Sequence, residues 1–205
     1  MIVASDIDGW ITAGGASRRM GEDKAALEFG GRRLLELAAD ALSDVSESRI
    51  SVAGARREFA SQWPAFPDMG AQGLGPLSGL VTALSNGSSE WIAVISCDMP
   101  FVTSKVFTIL AHNALAKHAA VVPLQADDRP QPLCAIYRRQ PVLGATRKLI
   151  NGTDRSMSNL LTGLMTNYIP NSAFHVLPNA QHLFVNINTP AEYERAKNIL
   201  QDSDF

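Results

Sequence analysis

Short apolar runs and helix-spaced apolar positions alternate along the first half of the chain. From Gly9 to Thr12 the pair Trp10-Ile11 reads as a buried strand that breaks at Gly14-Gly15. Leu34, Leu35, Leu37, Ala38, Ala41, Leu42 and Val45 then recur at helical spacing. A second β-like run covers Arg49 to Ala53. The loop Gly73-Leu74-Gly75-Pro76 places a proline where it can open a helix carrying Leu77, Leu80, Val81 and Leu84. Trp91 to Ser96 is almost continuously apolar between turn signals, as in a strand at the centre of a parallel sheet. Pro100 begins the loop before a helix of Val106, Ile109 and Leu110.

The second half is less regular. Ala119 to Pro123 and Leu133 to Tyr137 read as strands on either side of the polar turn Asp127-Asp128-Arg129-Pro130. Ser156 to Leu164 is a short helix, Phe184-Val185 a strand end, and Ala191 to Leu200 the closing helix. Alternation of strand and helix predicts an α/β fold, a doubly wound, mostly parallel sheet flanked by helices. With 205 residues and no repeat or linker, one domain over residues 1–205 is expected.

Composition changes this picture little. The chain is 46% apolar and 19% charged, so a core can form without disulfides or a structural metal. A net charge of −2 supplies no basic field for nucleic acid or an anionic membrane. Any phosphate chemistry must then rest on a local cluster of cations and backbone amides. Cys97 and Cys134 have no C-x-x-C spacing and suit a reducing compartment. Met1 to Asp8 lacks the pattern of a signal peptide, and no stretch is long and apolar enough for a membrane helix; the cytoplasm is the expectation.

That local cluster has a candidate. Ala13-Gly14-Gly15-Ala16-Ser17-Arg18-Arg19-Met20-Gly21-Glu22-Asp23-Lys24 follows the first strand, where open α/β sheets gather ligands. Its glycines let backbone N–H groups approach phosphate oxygens, Arg19 offers a planar fork, and Lys24 a mobile charge. Neither a P-loop nor a dinucleotide fingerprint is present, because Lys24 is followed by Ala25 and G-x-G-x-x-G is missing. Taken as residues alone, the segment also reads as a glycine turn with surface cations. Asp98, directly after the strand Trp91–Ser96, reads either as a helix-capping aspartate or as a magnesium ligand. Arg155, after Gly152-Thr153-Asp154, is either a structural arginine at a helix start or a cation for an acceptor phosphate. Asn186-Ile187-Asn188-Thr189-Pro190 can cap the last helix, and its amides, which both donate and accept, also suit a ligand's ring edge or a phosphate. His112, His118, His175 and His182 show no metal-ligand spacing, and no glycine-flanked elbow surrounds Ser17.

Four ordered motifs carry a resemblance. A-G-G-A-S-R-R-M-G-E-D-K looks like the signature A-G-G-x-S-x-R-M-G-x-D-K of the molybdenum cofactor guanylyltransferases, within the nucleotidyltransferase superfamily. Asp68 followed by Gly75-Pro76-Leu77-Ser78-Gly79-Leu80, then Cys97-Asp98-Met99-Pro100-Phe101, then Asn186 to Pro190, are similar to later motifs of that family. Gln131 to Tyr137 resembles its H-P-L-x-A-L-Y run, with Gln131 for histidine, and Ala53 stands where a relative has asparagine. The resemblance implies that Thr12, Ala13, Gly14, Gly15, Lys24, Asp68 and Asp98 line the nucleotide. It further implies Mg²⁺ on Asp98, and Arg19, Lys24 and Asp98 as the reacting centre. The acceptor would meet Arg155, Asn186 and Asn188 in the C-terminal half. The expected reaction is transfer of GMP from GTP to molybdopterin with release of pyrophosphate, with proteins that deliver or receive the cofactor as further partners. Cytidylyl transfer to the same pterin, sugar-phosphate nucleotidyl transfer, and an inactive nucleotide- or cofactor-binding protein are the rival expectations. Ala13-Gly14-Gly15 and Asp98-Met99-Pro100 favour the guanylyl reading over Ala-Ala-Gly and Asp-Gln-Pro of the cytidylyl relatives.

Overall fold

The computed structural model describes residues 6–14, 23–46, 49–69 and 74–202. Its strands are β1 (Ile7–Thr12), β2 (Glu28–Phe29), β3 (Arg32–Arg33), β4 (Ile50–Ala53), β5 (Ala65–Phe66), β6 (Trp91–Ser96), β7 (Ala120–Pro123), β8 (Cys134–Arg138) and β9 (Thr166–Ile169). Its helices are α1 (Leu34–Ser46), α2 (Pro76–Asn86), α3 (Ser104–His112), α4 (Arg139–Ile150), α5 (Met157–Thr162) and α6 (Pro190–Asp202). Seven strands form one sheet in the order β5-β4-β1-β6-β8-β7-β9, and β2 pairs with β3 as a separate hairpin. Within the large sheet β8 alone runs against its neighbours, β6 and β7; the other pairings are parallel. The sheet crosses from the first half of the chain into the second through β6 and β8.

Register decides where chemistry can gather. Thr12 pairs with Ala53 on one side and Ser96 on the other, so β1, β4 and β6 end at the same level. The chain therefore leaves all three strands on one rim, which is where open α/β sheets place ligands. The central strands are buried along both faces: β6 is apolar from Trp91 to Ile95, and β1 buries Asp8, Gly9 and Thr12 together with Ile7, Trp10 and Ile11. α1 and α3 cover one face through Leu35, Leu42, Val106 and Phe107. α2, α4 and α5 cover the other through Leu77, Leu80, Val142 and Leu160. A smaller cluster of Phe29, Leu34, Phe101, Ile187 and Ala196 seats α6 beside the β2–β3 hairpin.

Two features depart from the periodicity. Phe184-Val185 is turn and loop rather than a strand end. Leu183 and Phe184 are buried because they pack as a loop under the first helical face, Phe184 edge-on to Phe174 with ring centroids 5.4 Å apart. Conversely, α4 has no counterpart in the apolar pattern, since it is largely polar and contains Pro141 and Gly144. Pro141 falls in the first turn, where a missing N–H leaves no hydrogen bond unmade. At the opposite end of β1 from the rim, buried Asp8 accepts from the N–H groups of Ser88 (2.6 Å) and Ser89 (2.9 Å) and from Arg49 Nε (3.1 Å).

Candidate active site

At the rim the ends of β1 and β4 touch backbone to backbone. Ala13 N–H donates to Ala53 O at 2.9 Å, and Cys97 N–H to Thr12 O at 3.1 Å. Gly54 has φ +142°, and a Cβ there would stand 3.0 Å from the Ala13 carbonyl carbon. Only glycine allows both that conformation and that approach. On the other side of the turn the Asp68 carboxylate lies against Gly14: a Cβ on Gly14 would sit 1.8 Å from Asp68 Oδ2. Burial against this surface pushes the Asp68 carboxyl above the usual range, and the nearby Arg57 charge pulls it part-way back. α2 closes in from its own face, where a Cβ on Gly79 would come within 2.7 Å of Thr12 Cγ2.

Lys24 opens a single 3-10 turn capped by Asp23, whose Oδ1 accepts Ala25 N–H at 3.2 Å. Its Nζ donates to Asn188 Oδ1 at 2.8 Å and stands 3.4 Å from Asp98 Oδ2. The Lys24 and Asp98 side chains are 19% and 15% exposed, so water screens the pair only in part. Asp98 O accepts Ile187 N–H at 2.9 Å, which ties the segment after β6 to the Asn186–Pro190 segment. Residues far apart in sequence thus meet around one ammonium group.

Asp98 Oδ1 is buried and has no hydrogen-bond partner among the described residues. A carboxylate oxygen left in that condition costs free energy unless something else completes its shell. Among the described residues no three His, Cys, Asp or Glu side chains cluster as a metal cage. The arrangement fits a hard cation that takes one protein carboxylate and fills its other positions from phosphate and water. Cys97, next in chain, is buried, and that burial together with the Asp98 charge pushes its thiol up to about 12, so it is no nucleophile.

The Asn186–Pro190 segment is held by its helix. Thr189 Oγ1 accepts Glu192 N–H at 3.2 Å, while Glu192 Oε2 accepts Asn188 N–H at 2.8 Å and the Thr189 hydroxyl at 3.1 Å. This reciprocal cap begins α6 with Pro190 in its first turn and aims the Asn188 amide at Lys24. Asn186 Nδ2 donates instead to Phe184 O at 3.0 Å. A small cavity of about 230 Å³ beside Asp98 is lined by Pro76, Ser96, Gln131, Asn186 and Asn188. A larger hollow of about 880 Å³ shares Asn186 and Asn188 and continues to Gln125, Asn171 and Gln181. Another hollow, of about 850 Å³ between α4 and α5, is lined by none of the motif residues, so it lies apart from this chemistry.

The structure therefore brings Lys24, Asp98 and Asn188 into contact, sets Asn186 on the adjoining cavity, and packs Asp68 on Gly14 beside Thr12 and Ala13. Arg155 is not in this group; it lies on an exposed loop with its Nε donating to Gly152 O at 3.3 Å. Gly15 and Arg19 lie outside the described residues. Sequence reasoning missed Glu192, although Thr189 followed at the third position by Glu192 is a readable capping signature. It also missed Arg57, a partner of Asp23, which no motif marks.

Comparison with known proteins points the same way. The profile of the MobA-like NTP transferase domain matches residues 9–166. A probable molybdenum cofactor guanylyltransferase from Geobacillus sp. (strain WCH70) is 31% identical over 191 residues, 91% of this chain and 95% of that protein. A protein of the same name from Bacillus cereus (strain Q1) is 34% identical over 199 residues, 95% of this chain and 97% of its own length. The solved structure of molybdopterin-guanine dinucleotide biosynthesis protein A from Archaeoglobus fulgidus has a TM-score of 0.76 at 24% identity. It covers 95% of this chain and 99% of that one, a likeness of fold.

Proposed function

The chain belongs to the MobA-like NTP transferase family, and from that premise we propose that it transfers GMP from GTP to the terminal phosphate of molybdopterin. An oxygen of the acceptor phosphate attacks the α-phosphorus, the bond to the β-phosphate oxygen breaks, and pyrophosphate leaves as the guanine dinucleotide forms. The observation that carries this reading is Lys24 Nζ lying 2.8 Å from Asn188 Oδ1 and 3.4 Å from Asp98 Oδ2. One cation there joins the phosphate loop to the segment assigned to the acceptor.

Each residue has a task that follows from its surroundings. Ala13 and Gly14 offer backbone to the nucleotide at the β1 rim, Thr12 and Gly15 flank them, and Asp68 is a ligand for base or ribose. Lys24 neutralises phosphate charge in a half-enclosed site, where an ammonium acts more strongly than in water. Arg19 adds a second cation from the same loop. Asp98 would hold Mg²⁺ through its free Oδ1, and the cation would offset negative charge on the triphosphate. Asn186 and Asn188 receive the acceptor, which gives the N-terminal half to the nucleotide and the C-terminal half to the pterin. The acceptor phosphate needs no strong general base, since its second pKa is about 6. Positioning and charge neutralisation then carry the rate. No helix among the described residues is long and apolar enough to cross a membrane, and the proposed setting is the cytoplasm. Proteins that deliver or receive the cofactor are its proposed partners.

The test is pyrophosphate release from GTP·Mg²⁺ with and without molybdopterin. Wild-type release should depend on the acceptor, and Asp98→Ala should lower it at least about 10²-fold while the protein stays folded. Near wild-type release by that variant would remove Asp98 from the chemistry.

A further inference from the structure

Arg57 follows β4 after the close backbone passage at Gly54, and its side chain is only 11% exposed. Its guanidinium reaches three parts of the chain. Nη1 donates to Ala55 O at 2.8 Å, and Nη2 donates to Ala13 O at 3.0 Å. Nη2 also donates to Asp23 Oδ1 at 2.9 Å, while Nε donates to Asp23 Oδ2. Ala13 and Asp23 stand at the two ends of the glycine-rich segment. Asp23 immediately precedes Lys24 and caps its turn, and Lys24 in turn reaches Asn188 and Asp98.

We propose that Arg57 is a positioning residue for the triphosphate, a clamp that holds both ends of the glycine-rich segment on the β4 rim and so sets where Lys24 stands. This rests on reading the site as a nucleotidyl-transfer centre. The physical reason is pre-organisation. A grip made of backbone amides and one long lysine loses much of its binding free energy if the nucleotide must order it first. A clamp already formed on the free protein removes part of that cost. Lysine could not replace the arginine, because acceptors on two chain ends and a two-pronged carboxylate contact require a planar fork. The guanidinium charge also pulls the Asp68 carboxyl back down against the burial that raises it.

The test is a double-mutant cycle on GTP·Mg²⁺ affinity, measured by calorimetry for wild type, Arg57→Ala, Arg57→Lys, Asp23→Asn and Arg57→Ala/Asp23→Asn. Each single variant should weaken GTP by about 10- to 10²-fold, the scale of a small misplacement at a distance. The double variant should be no weaker than Arg57→Ala, and Arg57→Lys should restore little. Wild-type affinity in Arg57→Lys, or losses that multiply in the double variant, would overturn the clamp. If Arg57→Ala does not fold, the Arg57→Lys and Asp23→Asn affinities decide. A wild type that binds GTP but releases no pyrophosphate to the pterin would sink the transfer reading alone, with the affinity cycle still deciding the clamp. No GTP binding by the wild type would sink both.

Discussion

Asn186 and Asn188 sit two residues apart in one motif but turn their side chains to different partners. The Asn188 carboxamide oxygen holds Lys24 at 2.8 Å, while Asn186 turns its amide to Phe184 O. The two asparagines of one motif should therefore fail differently. Asn188→Ala should raise the Michaelis constants for both GTP and molybdopterin, because Lys24 loses the group that holds it. Asn186→Ala should raise that for molybdopterin and leave GTP within about twofold, since its amide is engaged by Phe184 O rather than by Lys24. Two-substrate initial-rate kinetics separate the cases. Equal effects of the two variants on GTP would show that Asn188 does not place Lys24. Read as sequence, the pair looked like a unit because spacing carries no information on which way each side chain turns.

Elements deliver these residues, and caps decide how firmly. Glu192 makes the α6 cap; the Asn188 N–H first, then the Thr189 hydroxyl, hold its carboxyl below the ordinary 4.5. A depressed folded pKa means that its stabilisation is complete above 4.5 and is lost as pH falls through the lower folded value. Glu192→Gln should cost about 1 kcal/mol at neutral pH, or about 2–4 °C in melting temperature. The gap should close as pH falls through the lowered folded value, where the wild-type carboxyl becomes protonated as well. A gap that persists there would mean that the charge of Glu192 is not what the cap uses. Asp8 contributes with the same sign: burial alone would raise its carboxyl, but hydrogen bonds from Ser89 and Ser88 outweigh it and leave it lowered. α1, α2 and β6 were legible because their apolar spacing is strong, and α2 and α6 because Pro76 and Pro190 mark helix starts. β9 and α4 were not. β9 is a short edge strand that buries only Ile169, and α4 buries Val142, Leu143 and Thr146 within an otherwise polar sequence.

Across the whole molecule the site exists because β1, β4 and β6 end level and the C-terminal segment folds back to the same rim. Motif order could announce that Lys24, Asp98 and Asn188 belong together, since each falls in a recognisable run after a strand or before a helix. Arg57 could not be found that way. Its importance lies in distances to Ala13 and Asp23 that only the pairing of β4 with β1 creates. The same limit applies to Arg155, whose cationic character was visible but whose orientation toward Gly152 was not. The central claim, guanylyl transfer to a pterin phosphate, is tested most directly by mass spectrometry of the dinucleotide formed from molybdopterin in an equimolar mixture of GTP, CTP and ATP with Mg²⁺. A base pocket whose polar groups match guanine loses about 1–3 kcal/mol for each partner left unpaired by another base. Two such groups give discrimination on the order of 10²-fold. The guanine dinucleotide should therefore dominate the product by that margin, whereas a cytosine dinucleotide at equal or greater yield would contradict the assignment.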